Sequence, residues 1–364
     1  MTLPLFAVCP PGLEPLLAAE LSERGFANAA PGAGGAAFTG DWPEAWRACL
    51  ELRGAVRVLA QIAELRVVHL AQLDKSARRV DWPAILAPGT PVQVEARCRR
   101  SKIYHDGAAK ERVETALAAA GMVLDAEADL TIRARIDDNV CTLSLDLAGA
   151  PLFKRGLKQD VAKAPLRETL AALFLRACGY DGREPVLDPM CGSGTFVIEA
   201  AEIAAGLQAG RARRFAFEQL KSFDPDAFAA LKRPAAPPPA WTGHGFDRDA
   251  GAIRAALDNA ARAGVADLAR FAARPVAELE RPPGPPGLVI VNPPYGVRVG
   301  HPASLRALHA TLGRRLKASF QGWRVGLVTA DASLAKATRL PFGPPGPVVD
   351  HGGMKIRLWT TRTL

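Results

Sequence analysis

Cysteine is scarce and irregularly spaced: Cys9, Cys49, Cys98, Cys141, Cys178 and Cys191 are the only six, with no two-residue or four-residue pairing among them. That argues against a zinc ribbon or a redox pair, so no metal is expected, and scattered thiols suit a reducing cytoplasm. Apolar runs are interrupted by Arg, Glu or Pro before reaching the roughly 20 residues of a membrane span. The first residues, MTLPLFAVCPPGLEPLLAAE, have no basic stretch ahead of their apolar part. A protein neither embedded in a membrane nor secreted is expected. No internal repeat of about 20 to 50 residues is visible. Global disorder is also excluded, because 49% of the residues are hydrophobic and only 23% charged. At roughly 150 residues per domain, 364 residues suggest two domains or three small ones.

The charge is unevenly spread. Residues 1–163 hold 20 Lys and Arg against 20 Asp and Glu, whereas the remainder holds 26 against 17 and carries the whole net charge of +9. Arg outnumbers Lys by 35 to 11, and Arg both forks onto phosphate and stacks on bases. A high-GC genome would produce the same bias, so charge alone leaves nucleic acid as one of two readings.

Two Pro-rich stretches, 232–241 and 281–287, read as loops. The first 60 residues predict a small α+β module: a strand at 5–8, a helix at 14–24, a Gly-rich loop at 31–35 and a second helix beginning near Asp41-Trp42-Pro43. From residue 55, strand patterns at 56–65, 92–98, 130–136 and 140–146 alternate with helices at 71–80 and 106–120, and Asp137-Asp138-Asn139 has a hairpin-turn composition. A helix is expected at 165–177. Strands at 186–188, 243–247, 288–291 and 324–330 then alternate with helices at 194–205, 250–263 and 304–320, the rhythm of a parallel, doubly wound sheet.

The chemistry concentrates in this second part. In VLDPMCGSGTF, residues 186–196, a strand ends in Asp188 and Gly192-Ser193-Gly194 opens a helix, which lets backbone approach a ligand closely. The third Gly of a dinucleotide fingerprint and the Lys of a phosphate loop are both missing, so a pyrophosphate ligand is disfavoured. Asp247, at the end of the next strand, can accept both hydroxyls of a ribose, with Arg248 beside it. Asp249 reads as a helix cap. After a further apolar strand comes Asn292-Pro293-Pro294-Tyr295-Gly296. Two prolines stiffen that corner, so the Asn side chain and the Pro293 carbonyl can accept the two N–H bonds of a planar exocyclic amine while Tyr295 offers a flat surface to its ring.

With these marks the chain resembles the class I S-adenosylmethionine-dependent RNA methyltransferases that carry an N-terminal THUMP domain. Within them it is most similar to the large-subunit ribosomal RNA guanine-N2 methyltransferases, in particular the N-terminal catalytic half of the bifunctional enterobacterial enzyme. Besides the two site motifs, the resemblance rests on Ser101-Lys102-Ile103-Tyr104-His105, on Leu152-Phe153-Lys154-Arg155-Gly156, and on Ala164-Pro165-Leu166-Arg167-Glu168-Thr169-Leu170-Ala171-Ala172. It implies a ferredoxin-like piece over 1–54, a THUMP domain over 55–160 and a Rossmann-like methyltransferase domain over 161–364. It further implies S-adenosylmethionine held by Asp188, Pro189, Cys191, Gly192, Gly194, Thr195, Asp247, Arg248 and Asn292. Asn292, Pro293, Pro294 and Tyr295 would form the catalytic corner. Arg97, Arg99, Arg100, Lys102, Lys110 and Arg112 form a basic cluster in a neutral half, followed by Lys154, Arg155, Lys158 and Lys163. Of these, Arg99, Arg100, Lys102, Lys154, Arg155 and Lys158, with Tyr104 and Arg298, are the expected RNA contacts, a solvated face being the alternative. Arg211-Ala212-Arg213-Arg214 is a further candidate patch. One departure stands out: the acid that usually follows the third strand is replaced by Pro275, so either Glu278 substitutes or adenine is held by shape and backbone.

The expected activity is N2 methylation of guanine in structured RNA, foremost 23S ribosomal RNA, by a cytoplasmic monomer. The rivals are a tRNA guanine-N2 methyltransferase, an adenine-N6 DNA methyltransferase, and a non-catalytic RNA-binding assembly factor.

Overall fold

The computed structural model describes residues 2–157, 166–294 and 301–364. These form two compact units: Met1–Cys9 with Leu17–Leu152 and Arg213–Lys232, and Pro10–Leu16 with Phe153–Ala212 and Arg233–Leu364.

The first unit is built on one eight-stranded sheet. Its strands are β1 (Leu3–Val8), β2 (Ala27–Gly32), β3 (Gly35–Gly40), β4 (Arg57–Arg66), β5 (Pro91–Arg99), β6 (Val123–Leu124), β7 (Thr131–Asp137) and β8 (Val140–Asp146), in the order β2-β3-β1-β4-β8-β7-β5-β6. The expected Gly-rich loop at 31–35 is instead the tip of the β2–β3 hairpin. Gly35 is what permits this, because a Cβ there would collide with the Ala7 carbonyl of the neighbouring strand. Asp41 caps helix Trp42–Glu51 by accepting the Glu44 N–H at 3.0 Å. At the β7–β8 turn, Asp138 and Asn139 adopt φ of +49° and +61°, the left-handed pair that a tight hairpin requires.

Residues 213–232, which follow a helix of the second unit in the chain, fold with the first. Phe215, Phe217, Phe223 and Phe228 pack together, and Phe217 stacks on Trp46 with ring centroids 6.0 Å apart. Arg213 donates to the carbonyls of Ala148, Ala150 and Pro151.

The second unit is a seven-stranded sheet of β9 (Val186–Asp188), β10 (Gly243–Asp247), β11 (Ala269–Ala273), β12 (Leu288–Val291), β13 (Arg324–Thr329), β14 (Val349–His351) and β15 (Met354–Thr360), in the order β11-β10-β9-β12-β13-β15-β14. The five strands β9 to β13 are parallel, as alternation predicted, but β15 runs antiparallel to β13 and to β14. The sequence pattern does not mark those last two strands. Helices cover both faces. Val197, Ala201, Ala260 and Ala263 form one core, while Leu312, Leu316, Phe320 and Trp323 pack with Leu187, Val289 and Leu327 in the other. The chain proceeds from β9 outward to β10 and β11, then crosses back to β12. The carboxyl edge between β9 and β12 is therefore the switch point where doubly wound sheets bind ligands.

Candidate active site

Asp188 ends β9 with its side chain 2% exposed, its Oδ1 accepting the Met190 N–H at 3.0 Å. Burial, with a smaller contribution from the negative charge of Asp247, holds its carboxyl well above the ordinary carboxylate value. The following turn is bound to the next strand: the Cys191 N–H donates to the Phe246 carbonyl at 2.8 Å and the Gly192 N–H to Asp247 Oδ2 at 3.0 Å. Gly192 and Gly194 take φ of +52° and +86°, positions at which a side chain would be strained. A Cβ on Gly194 would also lie 3.0 Å from both Ile198 Cδ1 and Phe271 Cζ. Pro189 and Cys191 are buried and Thr195 half-buried. Burial pushes the Cys191 thiol up, as do Asp188 and Asp247, which leaves it a poor nucleophile.

Asp247 Oδ1 accepts the Asp249 N–H at 3.0 Å, and Asp249 caps helix Ala250–Ala263 through the Gly251 N–H at 2.8 Å. A carboxylate has about four lone-pair directions, so Asp247 retains acceptor capacity for hydroxyls. Arg248 is exposed beside it.

Register places the diproline corner at the same edge. Asp188 is level with Gly245, and the β9–β12 pairing puts Ile290 at that level too, so Asp247 and Asn292 lie equally far beyond it on the strands flanking β9. With strands about 4.8 Å apart, the two side chains bracket the glycine turn across roughly a nanometre. Asn292 is half-buried, and its Oδ1 is a buried acceptor without a hydrogen-bond partner among the described residues. An acceptor desolvated in this way is costly unless something donates to it. Pro293 is buried and Pro294 half-buried. Tyr295, Arg298, Lys158 and Lys163 lie outside the described residues.

Asn259, which sequence reasoning missed, supports the turn from behind: it is 2% exposed and its Nδ2 donates to the Ser193 carbonyl at 3.2 Å. Its only signal was a polar residue on the apolar face of an otherwise amphipathic helix. Pro275 is exposed at the start of the short turn Val276–Glu278, and Glu278 is exposed as well.

The expected RNA contacts divide. In the first unit Arg99, Arg100 and Lys102 are exposed and Tyr104 is 83% exposed. Their loop is fastened to the β7–β8 turn, with the Lys102 N–H donating to Asn139 Oδ1 at 2.8 Å and the Asn139 N–H to Ser101 Oγ at 3.0 Å. Arg100 is paired with Asp137 at 2.8 Å, which tempers the patch. Lys154, in the second unit, is exposed. Arg155 is not a contact: it is 4% exposed, its guanidinium bound to Glu199 and to Glu202. Burial opposes its charge, yet the two carboxylates hold its pKa above the ordinary value. Arg211 is likewise engaged, with Glu202 at 2.5 Å and the Ala263 carbonyl at 2.7 Å. With Arg213 spent on carbonyls, Arg214 is the one arginine of that run that is exposed.

Among the described residues, no group of three or more His, Cys, Asp or Glu could hold a metal ion, and no helix is long and apolar enough to cross a membrane.

Sheet order, glycine turn and flanking Asp247 and Asn292 together define a Rossmann-like methyltransferase domain. The family described as the RMKL-like methyltransferase domain matches residues 155–341, and that of the RlmL ferredoxin-like domain matches residues 4–59. The chain belongs to the RMKL-like methyltransferase family, whose methyl donor is S-adenosylmethionine. It is 38% identical, over 93% of its length and 49% of the relative's, to ribosomal RNA large subunit methyltransferase K/L of Chromohalobacter salexigens. It is 31% identical, over 98% of its length and 96% of the relative's, to a Synechocystis sp. protein provisionally named an RNA methyltransferase. The chain thus spans about half the length of the K/L relatives. Among solved structures, a possible methylase from Clostridium difficile superposes with a TM-score of 0.91 at 25% identity, covering 100% of this chain and 99% of that one.

Proposed function

We propose that the chain transfers a methyl group from S-adenosylmethionine to the exocyclic N2 of a guanine in structured RNA, foremost 23S ribosomal RNA. The observation that carries this reading is the buried Oδ1 of Asn292, without a hydrogen-bond partner among the described residues and one strand from a turn whose glycines let backbone approach a ligand. The residues fit the donor. Asp188 offers a desolvated carboxylate suited to an ammonium, and Asp247 offers free lone pairs to ribose hydroxyls.

When bound, the donor supplies an electrophilic methyl carbon on a positively charged sulfur. Asn292 Oδ1 and the Pro293 carbonyl accept the amine's N–H bonds, which favours the positive charge developing on nitrogen and orients its lone pair. Tyr295 would stack on the ring. Guanine's amine is a weak nucleophile because its lone pair is delocalised. Positioning is therefore the main contribution, worth up to roughly 7–11 kcal/mol, and the proton can leave after transfer.

RNA as substrate is supported by the names of the K/L relatives and by the exposed Arg99, Lys102 and Tyr104. We assign residues 55–160 to a THUMP RNA-binding domain on the resemblance of the Ser101–His105 loop. A paired guanine must leave its stack at a cost of a few kcal/mol, which contacts to RNA would offset.

The test supplies labelled S-adenosylmethionine with protein-free 23S RNA, tRNA or duplex DNA. Label in 23S RNA is expected. Label confined to tRNA moves the substrate, and label confined to DNA replaces guanine-N2 by adenine-N6 chemistry.

A further inference from the structure

Two hydrogen bonds of the Asn259 side chain fix its orientation. Arg262 can only donate, and its Nη2 lies 2.6 Å from Asn259 Oδ1, so the amide must turn its Nδ2 toward the Ser193 carbonyl, 3.2 Å away. Arg262 in turn donates through Nε to the Leu157 carbonyl at 3.0 Å. The series therefore runs from the Leu157 carbonyl, through two side chains of helix Ala250–Ala263, to the residue between Gly192 and Gly194. Both glycines have positive φ, which glycine adopts as readily as negative φ, so contacts set the shape of the turn, and the Asn259 bond to Ser193 adds to those from Phe246 and Asp247. The same helix leaves little room at the turn, since a Cβ added to Gly194 would stand 3.1 Å from Ala256 Cβ.

We propose that Asn259 and Arg262 are positioning residues that set the affinity for the methyl donor by tying the Ser193 carbonyl to the Leu157 backbone. This rests on the reading of the glycine turn as the donor's seat. Neither side chain belongs to the reacting corner, so the effect falls on donor binding and leaves the transfer step alone.

Asn259→Asp separates the roles, since it keeps an acceptor for Arg262 and removes the N–H that Ser193 receives. Titration calorimetry with S-adenosylmethionine on the full chain should show a Kd raised about tenfold, the scale of one lost hydrogen bond in a tight site. The KM for RNA and kcat at saturating donor should stay within about twofold, while the ligand-free melting temperature falls because a buried carboxylate oxygen then faces the Ser193 carbonyl. Arg262→Gln should give a similar loss, and the double variant no more than the larger single loss, because the residues act in series. If Asn259→Asp fails to fold, Arg262→Gln carries the same comparison. Wild-type affinity in the variants, additive losses in the double variant, or a fall in kcat without a change in donor affinity would overturn the relay. If the wild-type protein itself bound no donor, the reading of the turn would fail instead.

Discussion

The Gly192 N–H donates to Asp247 Oδ2 over 3.0 Å, so the end of β10 holds in place the turn that leaves β9. The Asp249 N–H uses the other carboxylate oxygen. Asp247→Ala removes both acceptors at once, and hydrogen bonds to a charged group contribute about 1.5–3 kcal/mol each. Donor affinity measured by calorimetry should fall at least tenfold, or about 1.4 kcal/mol. Unchanged affinity would mean that ribose hydroxyls do not use this residue.

Asn292→Ala should act on the other half of the reaction. It removes a buried acceptor without touching the turn, so methyl transfer to RNA should be abolished while the donor Kd stays within about threefold of wild type. A large loss of donor affinity would place Asn292 on the cofactor.

Asp188 makes the ligand-free protein sensitive to pH. Its folded pKa is raised by burial, so above the ordinary carboxylate value the folded state retains a proton that the unfolded chain has released. Stability fully present below that ordinary value is lost as pH rises toward the folded pKa. Asp188→Asn should therefore melt higher than wild type at about pH 7.5, with the difference shrinking toward about pH 4, while binding the donor more weakly. A variant that melts lower at neutral pH would contradict the desolvation account.

Arg155 and Lys102 should behave oppositely. Removing Arg155 leaves Glu199 and Glu202 buried without their shared cation, so Arg155→Met should destabilise the protein by about 3–5 kcal/mol in denaturant titrations. Its RNA affinity should keep the wild-type salt dependence. Lys102→Glu should leave stability unchanged and flatten that dependence by roughly 0.7–0.9 in slope for each phosphate that Lys102 no longer neutralises.

What the sequence disclosed follows from which signals are local. The alternation of β9 to β13 with helices, the helix start near Asp41, the Asp249 cap and the glycine turn are written within a few neighbouring residues, and they stand in the structure as read. Gly35 was misread because its reason, the close approach of the Ala7 carbonyl, lies on another strand. Arg155 had the composition of an RNA contact, and only the packing of Glu199 and Glu202 against it revealed a buried ion pair. Asn259 carries no motif of its own. Its meaning is the Ser193 carbonyl, 66 residues away.

The proposed role of the corner at Asn292 is to present acceptors to a guanine amine. The most direct measurement is nucleoside mass spectrometry of 23S RNA after reaction with the protein and S-adenosylmethionine. N2-methylguanosine, absent with Asn292→Ala, is the predicted product. N6-methyladenosine, or methylation that survives that substitution, would contradict the account.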